Sequence, residues 1–296
     1  MTTLRSIELH LPDAANAAAF LSEHWGMAAP DRQGATWFLR GAGEDAYLLA
    51  LTEASSPSVQ SVTFTASEAD IARIRTSAAD AQAPVSAVTL DLAAGGGEGI
   101  AVTAPDGEVF RFVSGSAIRP RVENRDMPNR LTHVVFNAVD AEASANFVER
   151  ALGFRVSDRT KGMVFVRCDG SHHSIAFARA GVATLNHIAF EMADVDAVMR
   201  GVGRMRDVGL TAAWGPGRHG PGDNVFAYFI APFGPVIEYS TAVEKVGDDY
   251  RAGAPEDWTW PENRIDQWGV SGKDVAALSV AERLFRFAGA PALPTA

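Results

Sequence analysis

Three stretches from the first half of this 296-residue chain return in the second half at almost one fixed offset. "LRSIELHLPDAANAAAFLSEHWGM" lines up with "LTHVVFNAVDAEASANFVERALGF", setting Asp13 against Asp140, Phe20 against Phe147 and Gly26 against Gly153, each 127 positions apart. "SVQSVTFTASEAD" matches "TLNHIAFEMADVD" at 126. "VTAPDGEVFRF" matches "FIAPFGPVIEY" at 127, with Pro105 on Pro232 and Gly107 on Gly234. Three anchors at nearly constant spacing mark a tandem duplication, so the chain must fold as two copies of one supersecondary unit.

The second copy shows what that unit is. "LTHVVFNAV" is rich in β-branched and aromatic residues and reads as a strand. Asp140 then caps a helix whose Phe147, Val148 and Ala151 share an apolar face and which stops at Gly153. "MVFVRCDGSHHSIAFAR" reads as two strands around an Asp-Gly turn, and "LNHIAFEM" as another strand. A helix from about Asp194 to Val208 ends at Gly209, and "NVFAYFIAPFGPVIEYST" closes the copy as a hairpin turning at Pro232 to Gly234. The expected fold is α+β, two tandem modules each of paired βαβββ motifs. The first module spans 1–115, a Pro- and Arg-rich linker 116–130, the second module 131–245 and a tail 246–296. The glycine-rich "AAGGGEGI" (93–100) precedes a strand, not a helix, and so has no helix N-terminus to hold a phosphate.

Composition narrows the partners. With 26 basic against 36 acidic residues, the net charge of −10 repels a polyanion, which excludes nucleic acid. No apolar run reaches the roughly 18 residues that span a bilayer, and "MTTLRSIELH" lacks the layout of a secretion signal. The lone Cys168, an apolar filler of the strand "MVFVRC", forms no internal disulfide; a cytoplasmic protein is expected.

The duplication also supplies a control. His133, His187 and Glu238 occupy strand positions that hold Ser6, Ser61 and Arg111 in the first copy. Strict alternation puts Leu131, His133, Val135 and Asn137 on one face, with Leu185, His187 and Ala189 on the next strand and Val236, Glu238 and Ser240 on a third. A sheet closed around those faces gathers two imidazoles and one carboxylate in an apolar cup. Two histidines and a carboxylate with open positions beside them are the set that suits non-haem Fe(II) oxygen chemistry. Of the adjacent His172 and His173, only one can face the cup.

These residues resemble a known family. "LTHVVF", "SHHSIAF", "LNHIAFEM" and above all "GRHGPGDNVFAYFIAPFGPVIEY", with its His-x8-Tyr-x9-Glu spacing, look like type I extradiol ring-cleaving dioxygenases of the vicinal oxygen chelate superfamily over residues 1–245. The resemblance implies Fe(II), less often Mn(II), held by His133, His187 and Glu238 in the second module alone. It implies His173 as the acid–base residue beside bound dioxygen, with His219 and Tyr228 hydrogen-bonding the substrate. The substrates implied are O2 and a small aromatic or heteroaromatic vicinal diol, and the assembly implied is a homo-oligomer. Phe165 falls where an aromatic lines the oxygen pocket. Asp223 is a further pocket residue, although it stands four after His219 where the family pattern has three. The tail matches nothing in that pattern, and Trp258, Trp260 and Trp268 are expected to pack it onto the barrel. Rival readings of the same fold are a metal-dependent glyoxalase-like isomerase or lyase, a hydroxyphenylpyruvate-type dioxygenase, and a metal-free small-molecule-binding protein of the resistance type.

Overall fold

The computed structural model describes residues 2–92 and 94–290, and both copies run through the same order of elements. The first has β1 (Thr3–Leu11), α1 (Ala14–Phe20), β2 (Asp31–Gln33), β3 (Thr36–Leu39), β4 (Leu49–Glu53), β5 (Ser58–Thr65), α2 (Glu68–Asp80), β6 (Val85–Thr89), β7 (Glu98–Thr103) and β8 (Val109–Ser114). The second has β9 (Arg130–Ala138), α3 (Ala141–Leu152), β10 (Arg155–Arg159), β11 (Met163–Arg167), β12 (Ile175–Arg179), β13 (Thr184–Glu191), α4 (Val195–Asp207), β14 (Trp214–Arg218), β15 (Val225–Ile230) and β16 (Val236–Thr241). Pairing repeats as well: β2-β3-β4-β1-β5-β8-β7-β6 in one copy and β10-β11-β12-β9-β13-β16-β15-β14 in the other. In the second copy the central pair β9/β13 is antiparallel, and its flanking pairs β9/β12 and β13/β16 are parallel.

The helices start and stop where local chemistry directs. The Asp140 carboxylate accepts the N–H groups of Glu142 and Ala143, and Gly153 ends α3 with φ of 74°. Asp194 caps α4 through the N–H of Ala197. The two copies share one core. Trp25 stacks on Tyr239 at 3.6 Å between ring centres, and the Tyr239 hydroxyl donates to the Trp25 carbonyl. The tail adds α5 (Val275–Ala281) and β17 (Arg286–Phe287), which joins β5 of the first copy and β13 of the second. No helix among the described residues is long and apolar enough to cross a membrane.

Two expectations need correcting. Strict alternation fails at Leu131 and Leu185, because each central strand carries a bulge. Register skips Thr132 in β9 and Asn186 in β13, so Leu131 pairs with Phe190 and Leu185 with Phe136, on the core side of the sheet. Each bulge immediately precedes a histidine, the position at which a bulge re-aims a side chain. The first copy keeps the same two irregularities at Arg5 and Gln60, ahead of Ser6 and Ser61. The second correction concerns β11 and β12. They are joined through residues 168–174 rather than by a tight Asp-Gly turn, because this loop folds inward to bury His172 and His173. Of the glycine-rich stretch, Ala93 lies outside the described residues, and β7 follows it as a strand.

Candidate metal centre

Three adjacent strands carry the three side chains. His133 on β9 and Glu238 on β16 both stand opposite Ala189 of β13, and His187 lies two residues before Ala189 on the same face. Ala189 is fully buried, and its single methyl leaves open the space between its neighbours. His133 Nε2 and His187 Nε2 each lie 3.2 Å from the same oxygen, Glu238 Oε2. Donors about 2.1 Å from a divalent ion and at right angles to each other are separated by about 3 Å, so the set fits such an ion. All three ligand atoms lie within 4.8 Å of one another, and all three residues are buried.

Hydrogen bonds outside the trio fix what each ligand presents. The main-chain carbonyl of Glu282 can only accept, so the amide nitrogen of Asn137, 2.8 Å away, faces it. Asn137 Oδ1 must then accept from Asn186 Nδ2 at 2.8 Å, and Asn186 Oδ1 is left facing His187 Nδ1 at 2.7 Å. His187 therefore carries its proton on Nδ1 and keeps the Nε2 lone pair for a metal, the usual arrangement for a ligating histidine. Asn224 Nδ2 donates to Glu238 Oε1 at 3.3 Å and to Ser240 Oγ at 2.9 Å, which leaves Oε2 to the imidazoles. His133 Nδ1 is buried with no partner among the described residues.

The trio opens onto a cavity of about 240 Å³ lined by Val135, Phe165, His173, Trp214, His219 and Tyr228, among others. The Tyr228 hydroxyl lies 3.1 Å from His219 Nε2 and 3.4 Å from His187 Nε2. His173 stands beside His133, 4.3 Å between ring centres, with the Phe165 ring edge-on at 5.2 Å. Burial pushes the His219 imidazole down to about 3 and, helped by the neighbouring His133 and His172, holds His173 well below its ordinary range. Burial, reinforced by the Glu238 carboxylate, lifts the Tyr228 phenol well above its own. Burial would also raise Glu238, but the adjoining His133 and His187 outweigh it and hold the carboxyl low. Burial likewise lowers His187, which favours the neutral imidazole that a divalent metal needs from a ligating histidine.

In the first copy the equivalent place is filled by the protein itself. Arg111, at the Glu238 position, donates to Glu8 Oε2 at 2.5 Å, and Ser61 and Tyr47 donate to the same carboxylate. A fixed guanidinium sits where the other copy gathers metal-binding side chains.

Among the predicted residues, His133, His187, Glu238, His173, His219, Tyr228 and Phe165 all border the cavity or meet at its floor. Asp223 does not. Its backbone takes φ of 49° in the turn before β15, and its exposed carboxylate accepts from Arg218 at 2.7 Å. The neighbouring Asn224 points inward instead, as its even spacing from Tyr228 could have indicated. Trp260 also departs from expectation, since it lines the cavity rather than only packing the tail, along with Ile265, Lys273, Leu278 and Glu282. Trp268 packs half-buried against the core beneath Arg218.

Comparison with known proteins agrees with this architecture. Residues 130–239 match the model of the Glyoxalase/Bleomycin resistance protein/Dioxygenase superfamily. The chain is 32% identical over 164 residues to metapyrocatechase 2 of Cupriavidus necator, a match covering 52% of this chain and 48% of that protein. It spans about half the length of the curated relatives it matches. The Mn(II)-bound glyoxalase of Novosphingobium aromaticivorans superposes with a TM-score of 0.83 at 29% identity, covering 93% of this chain and 92% of that one. Homoprotocatechuate 2,3-dioxygenase of Arthrobacter globiformis superposes with a TM-score of 0.84 at 20% identity, over 98% and 94%. The duplicated βαβββ pairs and the buried His133–His187–Glu238 trio thus resemble the glyoxalase/bleomycin resistance protein/dioxygenase, or vicinal oxygen chelate, superfamily, whose model matches the second copy of this chain.

Proposed function

We propose that this chain is an extradiol dioxygenase that opens the ring of a small vicinal diol with O2, using Fe(II) or Mn(II) held by His133, His187 and Glu238. The observation that carries the proposal is a trio with one bare side, facing a cavity that already contains His173 on one flank and the His219–Tyr228 pair on the other. The bound metal would supply a Lewis acid for two adjacent phenolic oxygens and a way past the spin mismatch between O2 and a closed-shell ring.

The remaining chemistry falls to the protein. A diol must lose protons to chelate, and the Tyr228 hydroxyl, hydrogen-bonded to His219, is placed to orient a phenolic O–H at the cavity floor. His173, kept neutral by burial, offers a lone pair to take a proton and can return it later. Phe165, Trp214 and Val135 exclude water from that exchange. At about 240 Å³ the cavity is small beside ligand sites of about 300–1,000 Å³, which favours one ring over a biaryl.

A metal-dependent isomerase is the second reading, supported by the likeness to the Mn(II)-bound glyoxalase. Oxygen consumption separates the two. Protein loaded with Fe(II) or Mn(II) under anaerobic conditions is offered a panel of single-ring vicinal diols, with O2 uptake and the colour of a ring-opened product followed together. Uptake that requires both metal and diol is the expected result. Metal-loaded protein that consumes no O2 with any diol overturns the dioxygenase reading.

A further inference from the structure

Behind His173 lies a row of buried polar groups that the reaction proposed above does not use. Asp158, on β10, is fully buried, and three donors converge on its carboxylate. The Gly253 N–H reaches Oδ1 at 2.6 Å, His172 Nε2 reaches Oδ2 at 2.6 Å, and the Tyr250 hydroxyl lies 3.3 Å from Oδ2. With those donors around it the carboxylate acts as acceptor throughout, so His172 carries a proton on Nε2. The other nitrogen of His172, Nδ1, lies 3.0 Å from Nδ1 of His173. One of these two nitrogens must donate and the other accept. A ring with its one proton on Nε2 accepts at Nδ1.

We propose that Asp158 and His172 are positioning residues that hold His173 in the tautomer protonated on Nδ1, leaving its Nε2 lone pair for the cavity. The effect on turnover rests on the reading of His173 as the acid–base group; the tautomer itself does not. Three further features support the assignment. His172 is wholly buried and takes no part in lining the cavity, whereas His173 does. Gly222, at φ of 77°, lies against the imidazole pair so closely that a Cβ there would come within 3.1 Å of both Nδ1 atoms. The loop closes over the hydrogen bond only because no side chain intervenes. Finally, both outer donors to Asp158, Tyr250 and Gly253, come from the tail, and the Arg159 N–H pins that segment by donating to the Gly253 carbonyl at 2.9 Å. When His173 Nε2 takes a proton from a phenolic O–H, the resulting imidazolium donates through Nδ1 to His172. That ring in turn is held by the Asp158 carboxylate, so the charge is met by a row of acceptors rather than by apolar surroundings.

The tautomer can be read directly by ¹⁵N NMR on metal-free, ¹⁵N-histidine-labelled protein, with the His173 signals assigned by their loss in His173→Phe. The expected wild-type spectrum has the His173 proton on Nδ1 and a bare Nε2; a proton on Nε2 overturns the proposal without any variant. Asp158→Asn supplies the second arm. Its amide must still offer Oδ1 to the Gly253 N–H, so its NH₂ group faces His172 Nε2. That moves the His172 proton to Nδ1 and the His173 proton to Nε2. In metal-loaded Asp158→Asn, kcat should fall about 10²–10⁴-fold while metal content and KM for the diol stay as in wild type. Unchanged kcat, or an unmoved His173 tautomer in this variant, refutes the relay. A wild-type protein that shows the expected tautomer yet never consumes O2 would sink only the dioxygenase reading.

Discussion

Replacing Asn186 by alanine tests the tautomer assignment at His187. The amide accepts from His187 Nδ1 at 2.7 Å and donates to Asn137 Oδ1 at 2.8 Å, at the bulge that aims His187 into the cup. Without it the imidazole loses its orienting acceptor. Removing such a partner weakens metal binding about 10–100-fold, or about 1.4–2.7 kcal/mol. Stability should also fall. Asn137 keeps its bonds to Thr184 and the Glu282 carbonyl, but its Oδ1 becomes a buried acceptor with no donor, at a cost of about 1–3 kcal/mol. The two effects are measured separately. Anaerobic competition titration of Fe(II) and Mn(II) against a chelator gives the first, and urea unfolding of the metal-free protein gives the second. A metal affinity within about twofold of wild type refutes the reasoning, whatever happens to stability, because His187 would then need no fixed tautomer to bind.

The remaining predictions act on other parts of the molecule. His187→Ala should abolish metal retention after gel filtration while leaving the circular dichroism spectrum unchanged; a variant that keeps stoichiometric metal contradicts the ligand set. His173→Phe should retain metal and KM but lose about 10²–10⁴-fold in kcat, and wild-type turnover would remove it from acid–base work. Ala189→Leu should expel the metal, since the longer side chain projects between His133 and Glu238, and chelator-resistant binding in that variant would mean the ion sits elsewhere. Burial pushes the Glu108 carboxyl up to about 8, so the folded chain holds this proton more tightly than the unfolded one. Its contribution to stability is fully present below the ordinary carboxylate range and is lost as pH rises toward 8, by at most about 1.4 kcal/mol per pH unit. Glu108→Gln should flatten that slope in urea titrations between pH 5 and 8, and parallel curves for the two proteins would show that Glu108 does not set it.

Much of this was legible in the chain because duplication turns one sequence into its own comparison. The offset of 126–127 located the repeating unit, and the exchange of Ser6, Ser61 and Arg111 for His133, His187 and Glu238 marked three positions before any strand was paired. Pairing itself was less legible. Alternation assumes an unbroken pleat, and the extra residues at Thr132 and Asn186 sit in strand-like sequence with no glycine or proline to announce them. Asp223 enters only through the family pattern, one residue out of its spacing from His219, and the φ of 49° in its turn is a property of the backbone there and not of its carboxylate. The tail was opaque for a different reason. Lys273, Glu282 and Trp260 reach the cavity through contacts spanning tens of residues, and no second copy of the tail exists to compare with it.

The silent first copy explains why the site occurs once among the described residues. Its central strands keep the bulges at Arg5 and Gln60, so the backbone that would aim two ligands inward is intact. What changed is the charge balance. Glu8, at the position of the apolar Val135, brings a carboxylate into the cup, and Arg111 answers it with a cation that belongs to the chain. A divalent ion and a guanidinium compete for the same anionic oxygens, and the covalently held cation cannot dissociate. Placing histidines at Ser6 and Ser61 alone would therefore leave the first cup without metal, because Arg111 would still occupy the place of the third ligand. The bulged strand pair is thus a scaffold that presents side chains to a cup, and metal binding depends on keeping permanent cations out of it.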